Sequence, residues 1–240
     1  MLFKYRITAC VAGLLAALLV APAWGSNVNK SITIGPNTET DGASSVNGSI
    51  SIGAGATVTG SVETVNGTIR IDDDARVEDA ETVNGSLRIG DRVYTEDLSS
   101  VNGAVKLGED VTVDGEVSVV NGQISVGSGS SVRRDVSNVN GQIKVTGSTV
   151  GGDLRTVTGD VYFEDGAVLK GNLTVEKPHS WRSSSDQRIP TVVIGPGSRV
   201  EGEIILEQKV KLYVSETARV GGVSGVMTMA DAERFKGTRP

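Results

Sequence analysis

The tripeptide Val-Asn-Gly recurs along the chain with a nearly constant spacing. Its copies begin at Val46, Val65, Val83, Val101, Val120 and Val139, with degenerate copies at Val28 and Val157. Successive copies lie 18 or 19 residues apart. A fixed period of this length indicates a solenoid, because one coil cannot bury its own apolar face and must stack on its neighbours.

Each period divides into short apolar runs separated by glycine-rich gaps. In the copy that begins at Val46, Ile50 and Ile52 enclose one polar residue, and Val58 and Val62 follow after small residues and glycines. Apolar residues two positions apart predict short strands, and the gaps predict corners. The pattern therefore predicts an all-β fold, a single-stranded, three-sided parallel β-helix of about ten coils of 18–20 residues.

The direction of winding has two interpretations. Six-residue steps, such as those joining Val46, Ile52 and Val58, are typical of left-handed β-helices. The step from Val58 to Val65, however, has seven residues, and a strict left-handed helix accommodates extra residues poorly. We therefore expect a right-handed helix.

The apolar residues of successive coils predict the core. Numbered from the valine of each repeat, the large apolar residues fall at positions 1, 5, 7, 13 and 17. Position 5 holds Ile32, Ile50, Ile69, Leu87, Val105, Ile124, Ile143 and Val161, and position 7 holds Ile34, Ile52, Ile71, Ile89, Leu107, Val126, Val145 and Phe163. Stacked strands lie about 4.8 Å apart, so each position becomes a continuous apolar ridge inside the tube. Burial of one such side chain contributes about 1.5 to 3 kcal/mol.

The Asn-Gly pair of each repeat predicts a corner. A hairpin fits poorly, since the strand after each pair resembles the strand one coil earlier and not an antiparallel partner. In stacked coils the asparagines predict a ladder of amide hydrogen bonds, and the glycines predict left-handed backbone at the corner. The ladder asparagines are Asn47, Asn66, Asn84, Asn102, Asn121 and Asn140, and the corner glycines are Gly48, Gly67, Gly85, Gly103, Gly122 and Gly141.

The repeat divides the chain into segments. Residues 1–25 have basic residues, an apolar stretch too short to span a bilayer, and small residues suited to cleavage, which predicts a secretory signal peptide. The coils are expected in residues 26–175 and 191–226, separated by a loop insertion at 176–190. Residues 227–240 are expected to form a capping helix or a tail without fixed structure. The mature chain would have no cysteine and no membrane span, and would lie in the periplasm or be secreted.

The charge of the chain limits the classes of macromolecule that it is expected to bind. The formal net charge of −6 comes without a basic cluster, so neither nucleic acid nor an anionic membrane is an expected partner. No cofactor motif is present, and no cofactor is expected.

One outward-facing constellation is a candidate cation site. Asp73, Asp91 and Glu109 fall at the same position of successive coils, and Asp72, Asp74 and Asp110 lie beside them. Carboxylates about 5 Å apart repel one another unless a positive charge intervenes. The favoured interpretation is a salt ladder with the nearby column of Arg70, Arg88 and Lys106, and the alternative is a bound divalent ion such as Ca²⁺.

Enzymatic interpretations have little support. Acyltransferases on left-handed β-helices use a histidine as general base, and His179 is the only histidine. Polysaccharide lyases and hydrolases on right-handed β-helices use longer coils and loops rich in carboxylates and arginines. We expect no catalytic residues, and treat both activities as remote alternatives.

Two families share features with the repeat. Residues 194–204, Ile-Gly-Pro-Gly-Ser-Arg-Val-Glu-Gly-Glu-Ile, together with residues 52–60, resemble bactofilins, bacterial cytoskeletal proteins that polymerise and are built on a β-helix. Residues 157–161 and the Val-Asn-Gly series are similar to the repeats of secreted adhesin-like head domains. Together these similarities cover about residues 28–225. The bactofilin resemblance implies a right-handed helix and end-to-end self-association.

These observations lead to one expected function and one alternative. The expected function is an exported, non-enzymatic structural scaffold that assembles end to end at the cell envelope. The alternative is an adhesin-like or glycan-binding surface module with an envelope or glycan partner.

Overall fold

The computed structural model of the protein describes residues 29–178 and 188–240. The predicted signal peptide, residues 1–25, lies outside the described residues, as do His179 and most of the predicted insertion.

The described strands form three parallel ladders, one on each side of a tube, and about ten coils of about 19 residues stack along its axis. The predicted all-β, three-sided parallel β-helix is confirmed. Between residues 29 and 178 and from residue 188 onward, the only helical element is one 3-10 turn, Met229–Asp231.

Each coil places one strand on each face, and the faces are named in chain order. The first face contains Ile32–Ile34, Ile50–Ile52, Ile69–Ile71, Leu87–Ile89, Val105–Leu107, Ile124–Val126, Gln142–Thr146, Asp160–Glu164, Thr191–Ile194, Lys211–Ser215 and Glu233–Phe235. The second face contains Glu39–Thr40, Thr57–Val58, Arg76–Val77, Tyr94–Thr95, Thr112–Val113, Ser131–Val132, Thr149–Val150 and Val168–Leu169. The third face contains Ala43–Ser45, Val62–Asn66, Ala80–Asn84, Leu98–Asn102, Val117–Asn121, Val136–Asn140, Leu154–Thr156 and Leu173–Val175. The long strands Arg199–Leu206 and Arg219–Gly225 extend over the second and third faces.

The register aligns equivalent residues of successive repeats. Ile50 lies opposite Ile32 and Ile69, and Leu87 lies opposite Ile69 and Val105. From Ile50 onward, the position 5 and position 7 side chains are buried, most of them completely. The two ridges predicted from the sequence therefore form the core on the first face.

The valine of each repeat does not belong to this core. Val46, Val65, Val83, Val101, Val120 and Val139 are half-buried on the outside of the tube. The residue before each valine points inward instead, and it is usually a hydroxyl residue such as Thr64, Thr82 or Ser100. The prediction that the position 1 valines form an apolar ridge in the core is therefore wrong, because the residue one position earlier points inward. A polar column takes its place inside the tube.

The insertion interrupts the succession of coils but not the stack. Asp160–Glu164 pairs directly with Thr191–Ile194, with Val161 opposite Val192. Where the chain returns, Arg188 forms an ion pair with the Asp160 carboxylate at 2.5 Å. The Thr191 N–H donates to the same carboxylate at 2.9 Å. Asp160, which is 8% exposed, thus holds the returning chain in register.

The C-terminal residues extend the stack beyond the predicted end of the coils. After the 3-10 turn, Glu233–Phe235 pairs in parallel with Lys211–Ser215 and adds an eleventh strand to the first face. Phe235 is buried, and Met227 and Ala232 pack against the core. The predicted capping helix or unstructured tail at 227–240 is corrected accordingly, since the pairing edge of the preceding coil recruits this segment as a strand.

Candidate functional site

The asparagines of the repeat form a continuous ladder at the corner between the third and first faces. Each side-chain amide donates to the amide oxygen one coil earlier, from Asn47 to Asn29 through Asn140 to Asn121, at distances of 2.7 to 3.0 Å. The Thr158 hydroxyl donates to Asn140 and ends the ladder. Beyond it, Gln208 donates to the carbonyls of Val157 at 2.5 Å and Glu176 at 2.8 Å. These exposed amides are satisfied by one another, so the ladder has a structural role.

The glycines that follow these asparagines do not supply left-handed corners. Of the six, only Gly141 has a positive φ, of 129°. A Cβ at the other five would collide with the backbone one coil earlier, which is Lys30 for Gly48 and the preceding corner glycine for the rest. On Gly85 it would lie 1.7 Å from the carbonyl oxygen of Gly67. The prediction that these glycines adopt a left-handed backbone conformation is therefore wrong at five of the six positions. Glycine is required there because the backbones of adjacent coils approach closely.

Left-handed backbone occurs instead at the corner between the first and second faces. Non-glycine residues with φ between 53° and 59° stand there in five coils, and glycines such as Gly55 and Gly129 take the same place in others. The five residues are Asn37, Asp74, Arg92, Asp110 and Asp165. Asn and Asp tolerate this conformation better than most residues, which accounts for four of the five.

The interior polar column donates hydrogen bonds to four of the six glycine carbonyls of the Asn-Gly corners, those of Gly48, Gly67, Gly85 and Gly122. Thr64 donates to the Gly48 carbonyl at 2.9 Å, and Thr82 donates to the Gly67 carbonyl at 3.2 Å. In the coil of Asn138, the side-chain amide donates to the Gly122 carbonyl at 2.7 Å. Buried backbone carbonyls need such partners. This column was missed by the sequence analysis, although a polar residue before most of the repeat valines signalled it.

The candidate cation site around Asp73, Asp91 and Glu109, which we name the acidic ridge, lies on the corner that carries the left-handed residues. The Asp73 carboxylate accepts the Asp91 N–H at 3.0 Å, and the Asp91 carboxylate accepts the Glu109 N–H at 2.8 Å. Asp110 occupies a left-handed position, with φ of 56°. In the described part of the chain, no group of three or more His, Cys, Asp and Glu side chains is arranged to hold a metal ion. These hydrogen bonds tie the carboxylates of Asp73 and Asp91 to the backbone of the next coil.

The cations near the ridge pair with it only in part. Arg92 binds Asp74 through two hydrogen bonds of 2.7 and 2.9 Å, and this interaction holds the pKa of Asp74 below its usual value. Arg70 pairs with Asp72 at 2.7 Å. For Arg88 and Lys106 no ion pair forms within residues 29–178 and 188–240. The salt ladder predicted for the column of Arg70, Arg88 and Lys106 therefore involves only the first of the three.

A second acidic cluster lies on the third face. Glu63 and Glu81 are register neighbours, and Asp79 and Asp97 stand at the adjoining corner. Burial, followed by repulsion from Glu63, Asp79 and Asp97, raises the pKa of Glu81 to about 7. The pKa values of Glu63 and Asp79 are raised for the same main reason. These carboxylates therefore oppose folding at neutral pH.

We expect the unfolding temperature to fall as pH rises from about 4.5 to above 7. The pKa of Glu81 in the folded state lies above its unfolded-state value near 4.5, so over this range the folded protein binds the proton more tightly. Glu81→Gln should be more stable than the wild type at pH 8 and should lose part of the pH dependence. Thermal unfolding followed by circular dichroism at several pH values measures both effects.

Glu96→Gln is the matched control, because Glu96 is exposed. It should leave the pH profile unchanged. Identical profiles for the wild type and Glu81→Gln would contradict the assignment of this pH dependence to the third-face cluster.

Comparison with protein-family models, with curated proteins and with solved structures gave no match for this chain. Among the described residues, no helix is long and apolar enough to cross a membrane.

Proposed function

We propose that this protein is an exported, non-enzymatic structural scaffold whose rods associate end to end at the cell envelope. The signal-like pattern of residues 1–25 supports export to the periplasm or beyond. The outward ladders described above bind their own neighbouring coils, which supports a structural role. The observation that carries the proposal is the open first coil.

The first coil leaves part of the core uncovered. Ile32 and Ile34 are only partly buried, whereas Ile50 and Ile52 of the next coil are completely buried. Among the described residues, Ile32–Ile34 pairs only with Ile50–Ile52, so its other edge has no strand partner. Unpaired strand edges recruit other chains unless they are blocked.

The hydrogen-bonding groups at this edge can be assigned. Ile32 donates its N–H to Ser49, and Ile34 accepts from the Gly53 N–H, so both point to the second coil. Alternate residues of a strand direct their N–H and C=O groups to opposite sides, which places those of Thr33 at the open edge. The opposite end of the rod finishes in Glu233–Phe235, which also has a strand partner on one side only in the described structure. Within residues 29–178 and 188–240, the strand at each end of the rod therefore has one unpaired edge.

Residues 26–240 are expected to form filaments a few nanometres wide at low micromolar concentration, as seen by light scattering and negative-stain electron microscopy. Thr33→Pro should stop assembly, because proline removes the N–H at the open edge and no hydrogen bond to the second coil is lost. Thr33→Ala keeps this N–H and serves as the control that should still assemble.

A wild-type protein that stays a monomeric rod would overturn the assembly proposal. Filaments of Thr33→Pro equal to those of the wild type would place the contact elsewhere. Circular dichroism of each variant shows that the coils are still folded.

A further inference from the structure

The outward-facing residues of the first face form one straight column along the rod. The register places Arg70, Arg88, Lys106, Ser125, Lys144, Tyr162, Val193 and Tyr213 opposite one another in succession. Seven steps at the usual strand spacing give a length of about 34 Å. We name this column the first-face stripe.

Four of the first five residues of the stripe are cations. Lys144 pairs with Glu164 at 2.9 Å, and Arg70 pairs with Asp72. The exposed Arg88 and Lys106 have no ion-pair partner among residues 29–178 and 188–240, although they are neighbours. Their strands lie about 4.8 Å apart, so the two like charges repel one another, and an anion between them would relieve this repulsion.

The other end of the stripe is aromatic. Tyr162 and Tyr213 are half-buried and stand two coils apart, about 10 Å, on either side of Val193. Val193 faces outward, since Val192 and Ile194 on both sides are completely buried, yet it is only 5% exposed. Tyrosine rings with an apolar face and a polar hydroxyl are suited to the faces of sugar rings. Arg188 adds a largely exposed cation near Tyr162.

The surroundings of the stripe limit the width of a ligand. The strands that carry Arg88 and Lys106 are preceded by Ser86 and Ala104 and followed by Gly90 and Gly108, so only small residues flank the two cations. The acidic ridge lies immediately beyond these glycines. A broad polyanion such as a nucleic-acid duplex or an anionic bilayer would meet these carboxylates, whereas a single extended chain would not.

We propose that the first-face stripe binds one extended chain of a linear acidic polysaccharide, with its carboxylates on Arg88 and Lys106 and its sugar rings on Tyr162 and Tyr213. Arginine and lysine side chains bind carboxylates by charge-assisted hydrogen bonds. The rise of one coil is comparable to the length of one pyranose unit in an extended chain. The stripe runs along the side of the rod, so its binding does not depend on end-to-end assembly.

The test is native affinity electrophoresis of residues 26–240 in gels that contain polygalacturonate, a linear uronic-acid polymer. We expect retardation that weakens with added salt, because the contact is partly ionic. The double variant Arg88→Gln/Lys106→Gln should weaken binding roughly fivefold or more. Tyr162→Ala/Tyr213→Ala should weaken it at every salt concentration.

Arg134→Gln/Lys170→Gln is the matched control, since it removes the same charge from exposed residues away from the stripe. It should change binding by less than about twofold. Equal losses in control and stripe variants would overturn the proposal, as would the absence of retardation in the wild type. Equal retardation by single-stranded DNA would also overturn it, because the surface would then bind polyanions in general.

The Thr33→Pro variant separates this proposal from assembly. It should bind polygalacturonate as the wild type does, even if it forms no filaments. A loss of binding in Thr33→Pro with the coils still folded would contradict a site on the side of a single rod.

Discussion

Gly85→Ala is expected to destabilise the coils around it by roughly 3 kcal/mol or more. A Cβ at this position would lie 1.7 Å from the carbonyl oxygen of Gly67 and 2.6 Å from its carbonyl carbon. Both atoms belong to the backbone, so no side chain can rotate away. To admit one methyl group the two coils would have to separate at the corner, where Asn84 and Asn66 are hydrogen-bonded at 2.9 Å.

Urea unfolding followed by far-ultraviolet circular dichroism measures this effect, and Gly35→Ala is the matched control. A Cβ on Gly35 meets only the Thr38 side chain, at an ordinary contact distance of 3.6 Å. This control should be neutral or stabilise the fold by up to about 1 kcal/mol, because alanine restricts the unfolded chain more than glycine does. Equal midpoints for Gly85→Ala and the wild type would show that close approach does not explain the repeated glycine.

Periodicity predicted the parts of this fold that depend on register alone. Once coils of 18 or 19 residues stack, Ile69 must follow Ile50, and Asn66 must follow Asn47. The core ridges and the amide ladder require no further information. The candidate acidic ridge was located for the same reason, since Asp73 and Asp91 occupy equivalent places in successive repeats.

The missed features depend on corner geometry, which a repeat pattern does not encode. A glycine can be required either because the backbone has a positive φ or because another backbone segment approaches closely. The three-dimensional path of the chain shows that close approach is the reason at Gly85. Thr64 and Thr82 look like outward residues because they are polar. They point inward because their hydroxyl groups donate hydrogen bonds to the glycine carbonyls at the corner. The strand Glu233–Phe235 likewise has no repeat signal, and it forms because a pairing edge is available.

Phe163→Ala is expected to destabilise the coils on both sides of the insertion by about 3 to 5 kcal/mol. Phe163 is completely buried and lies in register between Val145 and Ile194. Its ring therefore joins the last coil before the insertion to the first coil after it, and alanine would leave a cavity at this junction. Phe163→Leu retains most of the volume and should cost about 1.5 kcal/mol or less.

The effect of Phe163→Ala should also be local, because each coil in a solenoid contacts only its neighbours. Hydrogen exchange is expected to show the greatest loss of protection from residue 160 to residue 235, where the coils after the insertion can detach as a group. Coils near Ile69 should keep their protection, since their contacts are unchanged. A uniform loss from Ile32 to Phe235 would instead mean that the rod unfolds as one cooperative unit. The insertion would then lie within a continuous domain rather than mark a boundary between two stacks of separate stability.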